Sequence, residues 1–183
     1  MSEIYTALVY GPAGTQGSKR MVENKKTGNM MMIESSKRFN SWRRKMIRSM
    51  ESDKPSSPVD DAAYILIKVF VHRPKQHYES NGVSLRYDAP KFPKSGRDGD
   101  KTARAVLDAS KKAGWVKDDA RYADISVKRR YTMDKDDPER VEVSMCSLEI
   151  CGENFIDEVE ARVTAGHPID SKDVPHIENS LFE

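Results

Sequence analysis

Cysteine is nearly absent: Cys146 and Cys151 are the only two in 183 residues, which excludes a disulfide framework and a cysteine-built zinc site. The four histidines, His72, His77, His167 and His176, are scattered without metal-ligand spacing and read as surface or loop residues. No apolar run approaches the roughly 20 residues of a membrane span, so no membrane partner is expected. Met1 to Tyr10 carries Glu3 and no long apolar stretch behind a basic start. A secretory signal is therefore not expected, and the chain reads as cytoplasmic and reduced. Net charge is lacking as well, because 31 Lys and Arg against 29 Asp and Glu leave only +2. With 37% hydrophobic and 33% charged residues, the composition fits one domain with a small core and polar appendages.

The near-neutral total hides an asymmetry. Lys19, Arg20, Lys25, Lys26, Lys37, Arg38, Arg43, Arg44, Lys45 and Arg48 are opposed within their segment only by Glu23 and Glu34. Beyond Gly152 the balance reverses, with Glu153, Asp157, Glu158, Glu160, Asp170, Asp173, Glu178 and Glu183 against Arg162 and Lys172. Two readings of the basic third stay open: contact with phosphate backbones, or a solvated helix face beside an ordinary loop. Gly11-Pro-Ala-Gly-Thr-Gln-Gly-Ser-Lys19 follows a strand but lacks the Gly-Lys-Ser/Thr order of a phosphate-binding P-loop, and reads as a flexible basic loop.

Periodicity predicts a strand over Ile4 to Tyr10 and a hairpin tip over Asn24 to Asn29, returning through Met30 to Ile33. Ser35 or Ser36 is expected to cap a helix over about Arg38 to Met50 that turns Phe39, Trp42, Met46 and Met50 inward. Ala63 to Val71 is the strongest strand signal, and Arg73 to Arg97 reads as a long loop, a class that is usually functional or disordered. A second helix is expected over about Asp100 to Ala113, capped by Asp100, ended by Gly114 and burying Ala103, Val106, Leu107 and Ala113. Ile125 to Tyr131 and Val141 to Ile150 are expected to pair as a hairpin around the acidic turn Asp134 to Arg140. After Gly152, Phe155, Ile156, Val159 and Val163 suit a short helix before a tail. The expectation is an α+β fold, a small mixed sheet with two main helices, over residues 1–151, followed by an acidic extension over 152–183.

Acidic residues bracket the second helix, with Asp98 and Asp100 at its start and Asp118 and Asp119 past its end. A hard divalent cation takes several oxygen ligands and, beside a phosphodiester, activates water and offsets charge. The helix is about 20 Å long. Asp119 can approach Asp98 only if Trp115-Val116-Lys117, an extended reach of about 10 Å, turns back towards the helix start. The alternative is that Asp100 is merely a cap and Asp118-Asp119 merely a turn.

Arg97-Asp98-Gly99-Asp100-Lys101-Thr102-Ala103-Arg104-Ala105-Val106-Leu107-Asp108-Ala109, with Ala113-Gly114-Trp115-Val116-Lys117-Asp118-Asp119, resembles the RusA family of Holliday-junction resolvases found in bacteria, prophages and phages. That family's pattern, Asp-x-Asp-Asn-x-x-Lys, then Leu-Asp-Ala-Leu, then a glycine and an Asp-Asp pair, aligns without a gap. Gly11-Pro12 with Gly17-Ser18-Lys19-Arg20, the segment from Glu34-Ser-Ser-Lys37 to Trp42-Arg43, and Arg73-Pro74-Lys75 are similar to the family too, so the likeness runs from about Tyr5 to Ile150.

The resemblance implies a homodimeric endonuclease, dependent on Mg²⁺ with Mn²⁺ as a substitute, that cuts four-way DNA junctions by paired nicks in a bacterial or phage-infected cytoplasm. It implies Asp98, Asp100 and Asp119 as metal-binding and catalytic carboxylates, with Asp118 a weaker ligand candidate and Asp108 structural. Two positions depart from the pattern: Lys101 replaces its asparagine and Arg104 its catalytic lysine. Arg104, one helical turn after Asp100, suits a stabiliser of the transition state and not a proton donor, since guanidinium stays charged. Lys101 is either a phosphate contact or an exposed helix residue. DNA arms are expected on Lys19, Arg20, Lys37, Arg43, Arg44, Arg73, Lys75, Lys94, Arg97 and Lys101. Two rival readings are a branched-DNA-binding protein that has lost hydrolysis and a nuclease for other branched or flapped DNA.

Overall fold

The computed structural model describes residues 4–15, 19–34, 37–94 and 98–151. Strand β1 (Tyr5–Tyr10) alternates, burying Tyr5, Ala7 and Val9 while Leu8 and Tyr10 stay exposed. The expected hairpin follows as β2 (Lys19–Glu23) and β3 (Met30–Glu34), antiparallel and separate from the main sheet. Its connection is held by Asn24, whose Oδ1 accepts from the Lys26 amide, and by Gly28 at φ 69°. Helix α1 (Lys37–Glu51) buries Phe39, Trp42, Met46 and Met50, the four positions that its period predicts. The suggested caps Ser35 and Ser36 lie outside the described residues, as do Arg97 and the extension over 152–183.

The chain continues through β4 (Ala63–Val71), α2 (Gly99–Ala113), β5 (Tyr122–Tyr131) and β6 (Arg140–Ser147), and a helical turn at Leu148–Cys151 closes it. The main sheet has the order β1-β6-β4-β5, with β4 parallel to β5 and antiparallel to β6. This corrects the expected β5–β6 hairpin. Ala63 to Ile67 are buried without a break, as suits a central strand covered on both faces. Such a strand needs ladder partners on both edges, and β5 and β6 supply one each. The link between them is anchored across the end of β4: Thr132 N donates to Val71 O, and His72 N to Glu139 Oε1.

Register places Ile65, Ile67 and Val69 beside Met145, Val143 and Val141, and those beside Tyr5, Ala7 and Val9. These side chains form one cluster with the four inward residues of α1 and with Ala103, Val106, Ala109 and Ala113 of α2. Leu107, expected in the core, is only partly buried at its margin, whereas Thr102, Ala105 and Ser110 are fully buried. Trp115 joins the layers: it is fully buried, its indole N–H donates to Met50 O at 2.8 Å, and its ring lies 6.4 Å from that of Tyr5.

The two edges of the sheet differ. Asp53 Oδ2 accepts from the amide and hydroxyl of Thr6, and Ser49 Oγ bonds both N and O of Leu8, so the end of α1 closes the β1 edge. The other edge is β5, with Ile125 and Val127 exposed on it at 43% and 36%. No helix among the described residues is long and apolar enough to cross a membrane.

Candidate metal centre and nucleic-acid interface

Helix α2 starts one residue before the expected point, with Asp98 and not Asp100 at the cap position. The Asp98 side chain makes no capping bond. Its backbone carbonyl takes the amide and the hydroxyl of Thr102, while Oδ2 accepts from Lys101 Nζ at 2.5 Å. Lys101, through this bond and its charge, holds the Asp98 carboxyl below its usual range, and Arg129 adds to the effect. Asp100 stands in the first helical turn, where a carboxylate also meets the positive end of the helix dipole. Asp98, Asp100, Lys101 and Arg104 are all exposed, and Arg104 follows Asp100 by one turn on the same side of the helix.

Under this end of the helix lies β5. A Cβ placed on Gly99 would stand 3.6 Å from Val127 Cγ1 and 3.8 Å from Arg129 Cδ, ordinary packing distances. Arg129 is thus a member of the site that the sequence did not single out. Its signal was the alternation of Ile125, Val127, Arg129 and Tyr131, which share one face of β5 opposite Ile65, Ile67, Val69 and Val71.

The other end of α2 is equally well held. Gly114, at φ 80°, turns its amide back to the carbonyls of Ser110 and Lys111. Trp115 to Lys117 then runs extended beside Val59, with bonds from Val59 N to Trp115 O and from Lys117 N to Val59 O. Asp118 caps a single turn at Asp119–Arg121, accepting from the Ala120 amide on Oδ1 and from Lys111 Nζ at 2.5 Å on Oδ2. Lys111 foremost, then the Ala120 amide, draws the Asp118 carboxyl down to about 2. Asp119 Oδ1 is 3.6 Å from the same ammonium. In the same segment, Lys117 and Arg121 both pair with Asp60 at 2.7 Å.

Asp119 therefore sits at the C-terminal end of α2 and the Asp98–Asp100 pair at its N-terminal end. The rise from Asp100 to Lys111 is about 16 Å. The strand beneath gives the same answer, because α2 and β5 run in opposite directions: Gly99 lies over Val127, and Ser110 accepts from Tyr122 Oη at 2.8 Å. The return of segment 115–117 to the helix start, on which the approach of Asp119 to Asp98 depends, does not occur: the segment runs along Val59. Carboxylate oxygens are what Mg²⁺ takes, yet one chain collects only two of the three expected ligands. Among the described residues no three His, Cys, Asp or Glu side chains are grouped so as to hold a metal ion.

The expected DNA contacts are dispersed. Lys19 and Arg20 lie on β2 and Lys37 opens α1. Arg44 is exposed on α1, whereas the Arg43 guanidinium lies 6.0 Å over the Phe39 ring. Lys75 and Lys94 are exposed. Arg73 is spent within the fold: it stacks 4.0 Å over the Tyr131 ring and donates to Pro90 O. Lys101 is bonded to Asp98.

The family model described as Endodeoxyribonuclease RusA matches residues 11–145, a span holding both ends of α2 and the whole of β4 and β5. No curated protein matches the chain.

Proposed function

The chain belongs to the RusA endodeoxyribonuclease family, and from that premise we propose that it resolves four-way DNA junctions by paired, Mg²⁺-dependent nicks as a homodimer. The observation that carries this reading is the division of the expected carboxylates between the two ends of α2. A three-carboxylate centre has to be assembled from two chains, Asp98 and Asp100 from one and Asp119 of the partner subunit. A twofold pair meeting antiparallel along β5, the sheet edge that α1 does not close, puts the start of one α2 beside the end of the other. Two such centres arise per dimer, one for each strand to be cut.

Mg²⁺ bound by these oxygens, or Mn²⁺ in its place, supplies an activated water and offsets charge on the phosphodiester. The protein's own residues do the rest. Lys101 orients Asp98 by the bond already made. Arg104 presents a fixed positive charge to a non-bridging phosphate oxygen, stabilising the charge that builds up there without exchanging a proton. Exposed cations such as Arg44, Lys75 and Lys94 hold the DNA arms through their phosphates.

The test is cleavage of a labelled four-way junction. Wild type nicks it with Mg²⁺; Asp100→Asn loses nicking by about 100-fold or more while still binding the junction in EDTA. An intact junction with wild type under both Mg²⁺ and Mn²⁺ would overturn the nuclease reading and leave a branched-DNA binder. Faster cutting of flaps or forks would move the substrate away from four-way junctions.

A further inference from the structure

The long segment between β4 and α2 carries an exposed aromatic on a backbone that is firmly held. Tyr87 is 98% exposed and occupies a tight turn closed by Ala89 N donating to Arg86 O at 3.0 Å. The turn is fastened on both sides. Before it, Arg86 N donates to His77 O, next to the bridge between Tyr78 and Leu85. After it, Pro90 O accepts from Arg73 Nη1 at 2.7 Å. Arg73 in turn stacks over Tyr131, and the His77 ring meets the same tyrosine edge-on at 5.8 Å. Tyr131 thus acts as a pedestal for both limbs of the excursion.

Holding a backbone in place costs conformational entropy, and none of that cost is recovered by burying Tyr87. Val83 and Leu85, exposed at 77% and 49%, precede it at alternate positions. The segment from His72 to Lys94 is positive, with Arg73, Lys75, Arg86, Lys91 and Lys94 against Glu79 and Asp88, and of these Arg86 and Asp88 pair with each other at 3.2 Å. A flat, solvated ring in a cationic setting is what a base face in an anionic polymer accepts. The pedestal belongs to the strand beneath the start of α2: Tyr131 is two residues from Arg129 on the same face of β5, about 7 Å along the strand, and Arg129, with Val127, packs under Gly99.

We infer that Tyr87 stacks on a base left unpaired or unstacked at the branch of the DNA, so that the turn Arg86–Ala89 reads the branch while α2 holds the phosphodiester. This rests on the branched-DNA reading above and adds the ligand chemistry of a second contact. Intact duplex offers no free base face, so the contact selects for branched over linear DNA.

The experiment measures binding of full-length wild type, Tyr87→Ala and Tyr87→Trp, in EDTA at one salt concentration, to a four-way junction with 2-aminopurine at the branch and to a duplex of the same sequence. Stacking on a base is worth about 1–3 kcal/mol, so Tyr87→Ala should weaken junction binding roughly fivefold or more, leave duplex binding unchanged and lose the 2-aminopurine quenching. Tyr87→Trp should restore both affinity and quenching. Equal junction affinity and quenching for Tyr87→Ala and wild type would overturn the inference while leaving the nuclease reading in place. So would an equal loss on junction and duplex, or a shift of Tyr87→Ala from dimer to monomer in sedimentation. Wild type that binds junction and duplex equally would overturn it too, and the cleavage assay alone decides the nuclease reading.

Discussion

Arg104 is the residue at which chemistry and departure from the family pattern meet. Its charge is permanent, so in the proposed reaction it would contribute by position alone, and its place one turn after Asp100 puts it on the same side of the helix. Removing a fixed donor that faces developing charge costs about 100- to 1,000-fold in rate. Arg104→Ala is expected to slow single-turnover nicking by that amount with little change in junction affinity, and Arg104→Lys to recover part of the rate; an Arg104→Ala protein cutting at the wild-type rate would leave the residue with no part in the reaction. Lys101 has the opposite character. The sequence leaves it between phosphate contact and helix surface, and in the structure it is exposed on the helix with a 2.5 Å bond to Asp98. No spacing rule could have separated these, because residues three apart on a helix reach one another whether or not a ligand is present.

At the scale of elements, the connection from α2 into β5 fixes where Asp119 can be. Tyr122 is the first residue of β5, 7% exposed, and its phenol donates to Ser110 Oγ, which itself donates to Leu107 O. Burial, only partly offset by the bond to Ser110, raises the Tyr122 pKa above its ordinary value of 10.0. The folded state therefore keeps this proton where the unfolded chain has lost it. The resulting stability is complete below pH 10 and declines as pH rises further towards the folded pKa. Tyr122→Phe should be less stable than wild type by about 1 kcal/mol at pH 7, and denaturant titrations should show that gap narrowing above pH 10. A gap that widened with alkaline pH would contradict the assignment. The elements that were legible from residue order are those set by local period: α1 through Phe39, Trp42, Met46 and Met50, β4 through its continuous apolar run, and the end of α2 through Gly114. Adjacency in sequence points to a β5–β6 pair, whereas in the sheet β4 lies between them. The unbroken burial of Ala63 to Ile67 was the sign that β4 belonged between them. The candidate site was legible in its residues and not in its assembly. Both ends of α2 could be located, but the direction taken after Trp115 depends on Val59, far away along the chain.

For the whole molecule, the proposed site, split between the two ends of one helix, would make catalysis a property of the dimer. Asp100 lies about 16 Å along α2 from Lys111, whose ammonium is 3.6 Å from Asp119 Oδ1, while Lys117 and Arg121 of the same segment pair with Asp60. In the proposed twofold pair the same division would give each half one complete centre, which suits a substrate with two equivalent strands to cut. Mixed dimers test this most directly. Asp100→Asn and Asp119→Asn chains, each inactive as its own homodimer, are co-expressed with different tags and purified as the mixed species. If each centre draws Asp119 of the partner subunit, one of the two centres escapes both substitutions, and the mixed dimer nicks one strand of a four-way junction in Mg²⁺. If each centre is built within a single chain, both carry a substitution, and a mixed dimer that leaves the junction uncut would contradict the account.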